Sequence, residues 1–209
     1  PARPRALAPS RADVFNTFAF GYAIGYHFIE TDTGEMNGNF LGIGADLAIN
    51  ASVRVDASQP MGVLVTNGEF TAFADEDWLP GSTSWADPTH VVASATNTGA
   101  VKFVDSSFWG AASQVAYIEG SGWVTFDACE VVQWDLQANG GAGDGRAAIG
   151  AFGGSVIVQG SSFEEDKAQV ELGPRVKRAV IVGNLFDGAQ QWIVNETATN
   201  VQAAANAFS

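Results

Sequence analysis

Val63-Leu-Val-Thr-Asn-Gly-Glu-Phe70 is answered by Val101-Lys-Phe-Val-Asp-Ser-Ser-Phe108, and the same phrase returns at Val124–Val131, Val156–Phe163, Ala179–Phe186 and Val201–Phe208. Each copy has an apolar residue, another two places on, a small or polar residue three further, and a bulky apolar residue two beyond that. The closing residues Phe70, Phe108, Val131, Phe163, Phe186 and Phe208 are 38, 23, 32, 23 and 22 residues apart. A fixed period in this range marks a coiled repeat, and the two long intervals mark insertions. A second short apolar run precedes the later phrases, at Val115–Tyr117, Ala147–Ile149, Val170–Leu172 and Trp192–Val194. One unit therefore reads strand, turn, strand, bend and closing residue.

This pattern predicts an all-β fold: a single-stranded right-handed parallel β-helix with coils of about 22–24 residues. Strands of three or four residues cannot bury themselves alone, but stacked in register they form parallel sheets with Val and Phe files inside. Leucine-rich repeats share the period but need a leucine-rich consensus that is missing here. A β-sandwich would show tight hairpin turns between longer alternating strands. The position filled by Gly68, Ser106, Cys129, Ser161, Asn184 and Asn206 suits a ladder at a bend, its side chains serving neighbouring backbone groups. Residues 1–12 read as a disordered tether and 13–209 as the β-helix domain. Within it, 13–58 are atypical capping coils and 59–209 regular ones. The start has no initiating Met and reads as trimmed from a longer polypeptide. The insertions fall at about 73–90 and 137–145, both loops by composition.

The chain has 209 residues, 24 of them glycine, and 23 carboxylates against 10 Lys plus Arg, for a net charge of −13. Such a field repels nucleic acid and anionic membranes, and it disfavours a polyanionic substrate unless a bound cation intervenes. No apolar run approaches the ~20 residues that span a bilayer. Cys129 is the single cysteine, so neither an internal disulfide nor a thiolate metal site is available within the chain. It reads as a small buried residue of the ladder.

The phrases Glu30-Thr-Asp-Thr-Gly-Glu-Met-Asn-Gly38, Gly62-Val-Leu-Val-Thr-Asn-Gly-Glu-Phe70, Val132-Gln-Trp-Asp135 and Val182-Gly-Asn-Leu-Phe186 carry a resemblance. The chain resembles the C-terminal part of right-handed parallel β-helix proteins of the pectate-lyase-like, glycoside-hydrolase-family-28-related group. The resemblance covers roughly residues 14–209. It implies an extracellular or cell-surface protein whose partner is a polysaccharide or oligosaccharide. The group's catalytic signatures do not recur here. The two histidines, His27 and His90, are not flanked by glycines, and both read as packing residues at strand ends. No catalytic residue is carried over.

The repeat itself points to a site. Residues just after each closing residue should leave the coil on one side and line a long face. They include Trp109, Trp134 with Asp135, Glu164, Glu165, Asp166 with Lys167, and Asp187. Aromatic rings pack on sugar C–H faces, and carboxylates bind hydroxyls or act as acid and base. Adjacent coils lie ~4.8 Å apart, within reach of the carboxyl spacings that glycoside hydrolysis uses. The candidate catalytic carboxyls are Asp135 with Glu165 or Asp166, then Glu165 or Asp166 with Asp187. The candidate substrate-binding residues are Trp109, Trp134, Lys167 and a polar column of Gln114, Arg146, Gln169 and Gln191. No cofactor is required. Ca²⁺ is the one ion that the acid clusters Glu164–Asp166 and Asp75–Asp77 would admit. Three functions fit this reading: a polysaccharide hydrolase or lyase, a non-catalytic carbohydrate-binding module, or a structural fibre or appendage subunit in which the chain forms an oligomer.

Overall fold

The computed structural model describes residues 10–71, 88–110, 112–135, 146–165, 167–187, 193–195 and 200–208. Among them the chain winds as a parallel β-solenoid of three sheets, with no helix. The strands are numbered in chain order. Sheet A stacks β1 (Ser10–Phe15), β4 (Met36–Leu41), β7 (Ser58–Thr66), β10 (Ala100–Val104), β13 (Trp123–Asp127), β16 (Gly154–Gln159), β19 (Val176–Val182) and β22 (Val201–Ala204). Sheet B stacks β2 (Phe18–Phe20), β5 (Gly44–Asp46), β8 (Glu69–Thr71), β11 (Ser107–Trp109), β14 (Glu130–Val132), β17 (Ser162–Phe163), β20 (Leu185–Phe186) and β23 (Ala207–Phe208). Sheet C stacks β3 (Ile24–Phe28), β6 (Ala51–Val55), β9 (Thr89–Ala93), β12 (Gln114–Ile118), β15 (Ile149–Ala151), β18 (Val170–Leu172) and β21 (Ile193–Asn195). β1 takes in Ser10 to Ala12, three residues that the sequence reading gave to the tether. The first insertion ends earlier than its composition suggests, since Thr89 and His90 belong to β9.

The repeated phrase is sheet A followed by sheet B. Its closing residues form one file: Phe70, Phe108, Val131, Phe163, Phe186 and Phe208 are direct register partners in turn. Phe70 and Phe108 stack with centroids 5.4 Å apart, and Phe186 and Phe208 with centroids 5.7 Å apart. In sheet A, Phe103 stacks on Phe126 at 5.5 Å. Such stacking adds to area burial where rings adjoin, while Val131 takes the place of a ring between Phe108 and Phe163. The run Val115–Tyr117 and its later equivalents form sheet C, with Ala116, Ile149, Val170 and Ile193 in register.

The corner between sheets A and B is the most regular feature. Two residues separate the strands at each of its eight occurrences. The first of the two is always left-handed: Asn16, Gly42, Asn67, Asp105, Ala128, Gly160, Gly183 and Ala205, with φ between 47° and 66°. Glycine, Asn and Asp adopt this region with little strain, and they fill six of the eight places. The second residue is the ladder position. Ser106 Oγ accepts the Gly68 amide at 3.1 Å and Ser161 Oγ the Cys129 amide at 3.0 Å. Asn184 Oδ1 accepts the Ser161 amide and Asn206 Oδ1 the Asn184 amide, each at 3.0 Å. These side chains replace water for backbone groups that the turn carries into the apolar interior. Cys129 shares the file, its thiol 3.6 Å from the carbonyls of Phe103 and Asp127. Burial pushes the thiol up to about 11, so it stays protonated and packs as a small apolar group.

Candidate functional site

Sheet B presents alternate residues inward and outward, so the inward file of phenylalanines fixes two outer files. One runs Glu69, Ser107, Glu130, Ser162 and Leu185 in direct register. The other begins Thr71, Trp109, Val132. Glu164 and Asp187 extend it, their amides donating to Val131 O at 3.0 Å and Phe163 O at 2.9 Å, the carbonyls of the preceding coil. Trp109 is 41 % exposed, and its indole N–H donates to Gln133 Oε1 at 3.1 Å. The result is one exposed indole, fixed in orientation, with carboxylates on the coils that follow.

Trp134 and Asp135 take a different place. Trp134 is fully buried in the apolar core, and its carbonyl accepts the Ala112 amide at 2.8 Å. Asp135 is also buried, and the Lys167 ammonium pairs with its Oδ2. The same ammonium sits 5.7 Å from the Trp134 ring centroid. The cause is local. Gln133 is left-handed, with φ 49°, so the alternation of β14 stops there and the next residue turns inward. Trp134 is therefore a core residue, and the expectation that it would offer a sugar platform is corrected.

Lys167 gathers three of the predicted site residues. It pairs with Asp135, and its amide donates to Glu165 O at 2.8 Å. Burial pushes the Glu165 carboxyl above its usual range. The Lys167 charge opposes that shift, and the carboxylates of Asp135 and Glu164 reinforce it. The structure thus brings Asp135, Glu165 and Lys167 together, but the buried member of the acid pair is committed to a cation. Asp187 is exposed on the outer file instead. Asp166 and Gln191 lie outside the described residues, as do Asp75–Asp77 and the second insertion at 137–145.

Of the polar column, the three described members, Gln114, Arg146 and Gln169, do not form a file. Gln114 is buried and its Nε2 donates to Ala147 O at 3.0 Å, so it stands beside the residue after Arg146. Gln169 is buried too, its Nε2 donating to Glu165 O. Its amide oxygen and the Trp134 indole N–H have no hydrogen-bond partner among the described residues. Arg146 is half-buried. Counting back a fixed distance from sheet A crosses the bend from sheet C, and that bend varies from two residues (Val55 to Ser58) to seven (Phe28 to Met36). The count therefore slips from coil to coil.

The histidines separate. His90 is fully buried, 5.7 Å from the Phe108 ring centroid, and burial lowers its pKa to about 3. It packs as a neutral ring. His27 lies on the outside of sheet C, its Nε2 2.6 Å from Asp56 Oδ2. Burial works to raise the Asp56 carboxyl, but hydrogen bonds from Arg54 and His27 prevail and hold it at about 2. His27 is thus hydrogen-bonded to Asp56 on the surface, where packing at a strand end was expected. Sequence reasoning missed Thr71. The register rule would have found Thr71, which follows Phe70 as Trp109 follows Phe108.

No protein-family model matches the chain, and no curated protein or solved structure matches it either.

Proposed function

We propose that this β-solenoid engages carbohydrate on the outer face of sheet B, as an extracellular or cell-surface protein related in kind to the pectate-lyase-like group. The observation that carries the reading is Trp109: half exposed, its indole held by Gln133, in one file with Thr71, Glu164 and Asp187. A fixed ring offers a flat apolar surface for a sugar face without the entropy of ordering it on binding. Carboxylates two and three coils further along the file, Glu164 and Asp187, accept from hydroxyls. Their charge favours neutral or amino sugars over uronates. Binding without turnover is the form favoured, because Asp135 is buried against Lys167 and does not face the outer file of Trp109.

The test is depletion of the protein by a panel of insoluble glycans, with release of reducing ends and unsaturated products followed in parallel. Retention without product supports a binding protein. Trp109→Ala should weaken retention about tenfold, which corresponds to about 1.4 kcal/mol. Trp123→Ala is the control. Trp123 is equally exposed at 42 % but lies on sheet A under Arg178. Equal losses for both variants, or no retention by any glycan, would remove the sheet B face from consideration.

A further inference from the structure

Sheet A breaks its register between β4 and β7. Met36 pairs with Ser58 and Gly38 with Val63, so the four residues 59–62 stand against Asn37 alone. A bulge bends its strand and re-aims the side chains beside it. This one is pinned at its base on both sides. Gln59 Oε1 accepts from Asn37 Nδ2 at 2.7 Å, and Gln59 Nε2 donates to Glu35 O at 2.6 Å. Toward the next coil, Ser58 Oγ donates to Ala100 O at 3.1 Å. Gly62 closes the bulge at φ 82°, with its backbone so near β10 that a Cβ there would fall 2.3 Å from Ala100 O. The extra residues therefore rise outward, and Met61 is 83 % exposed.

Beside the bulge lies a hollow of about 180 Å³ on the outer face of sheet A. It has room for about six water molecules at ~30 Å³ each. Met61 and Leu64 give it an apolar side, and Arg11, Asn37, Asn39 and Lys102 give it polar ones. The nearby acid is already engaged: Asp13 pairs with Arg11 at 3.2 Å and accepts from Asn39 Nδ2 at 2.9 Å. Lys102 is exposed and pairs with no carboxylate among the described residues, in a chain with 23 carboxylates against 10 Lys plus Arg. Two cations against one acid leave the hollow positive on a molecule whose net charge is −13. It opens on the face of the sheet, so a winding stacked on β1 would leave it open.

We propose that this hollow binds a small organic carboxylate, with the Lys102 ammonium on the carboxylate and Leu64 and Met61 against the apolar body. Leu64 and Lys102 are direct register partners, so the charge and the apolar floor adjoin at one coil step. Arg11 has five N–H donors and does not exhaust them on Asp13. Charge-assisted hydrogen bonds of this kind are the strong ones, and they reward an ionised head group. An inorganic anion would leave Met61 and Leu64 in water, and a neutral molecule would leave Lys102 unmatched. An acid with an apolar body answers both sides. The site lies on a different sheet from Trp109 and is independent of the glycan reading.

Heteronuclear NMR of the full chain, titrated with phenylacetate, tests this. Saturable shifts should appear at the Leu64 methyls and at the amides of Met61, Gly62 and Lys102, with a Kd on the order of 1 mM for a ligand of this size. Phenylacetamide keeps the body without the charge, and inorganic phosphate keeps a charge without the body. Each should bind about tenfold more weakly or less. Lys102→Met keeps the stem, removes the charge and should weaken phenylacetate about tenfold. Met61→Ser should weaken it about threefold. Both side chains are exposed, so both variants keep the fold. An absence of saturable shifts at these residues overturns the proposal. So does phenylacetamide or phosphate binding as tightly as phenylacetate, or either variant titrating like the wild type.

Discussion

Asn184 accepts the amide of Ser161 at 3.0 Å and donates its own Nδ2 to Val158 O at 2.9 Å, so one side chain ties two backbone groups of the coil before it. Asn184→Ala would leave both buried without a partner. Unsatisfied buried polar groups cost about 1–3 kcal/mol each, and the expected loss is about 2–4 kcal/mol by urea denaturation. Asn184→Ser should lose less, because Ser106 and Ser161 fill the same file and accept their neighbours' amides. Equal losses for the two variants would argue against the ladder.

Trp134 and Trp109 should respond oppositely to truncation. Trp134 is fully buried, and Trp134→Ala is expected to lose about 3–5 kcal/mol of stability. Trp109→Ala sits on an exposed face and should change stability by about 0.5 kcal/mol or less. Thermal melts of the two variants beside glycan retention separate a core role from a surface role.

His90 makes stability fall in mild acid. Its folded pKa of about 3 lies below the ordinary 6.5, so between these values the unfolded chain binds a proton that the folded chain refuses. Stability should therefore drop by about 1.4 kcal/mol per pH unit as pH falls from about 6.5 toward 3. Replacing the ring by a non-titrating residue in His90→Leu should flatten that stretch of the curve. A wild-type denaturation midpoint that does not move between pH 6.5 and 4.5 would count against a buried neutral imidazole.

Ala128 occupies a left-handed corner at φ 52° and is exposed, while Asn67 and Asn16 hold the same corner in other coils. Asn tolerates this region where Ala is strained. Ala128→Asn should stabilise the protein by about 0.5–1 kcal/mol, read as a higher melting temperature.

The stack was legible because its signal is periodic and redundant. Phe108, Phe163 and Phe186 recur at the coil length, and one side-chain file leaves one mark per coil in the sequence. Trp109 was legible for the same reason, being the residue after a file member within a strand. Trp134 was not, because the left-handed Gln133 ends the alternation one residue earlier, and a backbone reversal leaves no hydrophobic pattern. Gln114, Arg146 and Gln169 failed as a file because they sit across bends of unequal length. Asp135 read as free acid because its cation, Lys167, is 32 residues away and comes next to it only when the coils stack.

The eight two-residue corners also divide the molecule into a part that tolerates foreign sequence and a part that does not. Every strand of sheet B starts at the same offset from sheet A, so one added residue there would throw a whole winding out of phase. The passage from sheet B to sheet C already accepts lengths from three residues (Phe20 to Ile24) to seventeen (Thr71 to Thr89). Grafted epitopes, tags or ligand-reading segments belong at that second passage, where the scaffold has room to carry cargo without losing step.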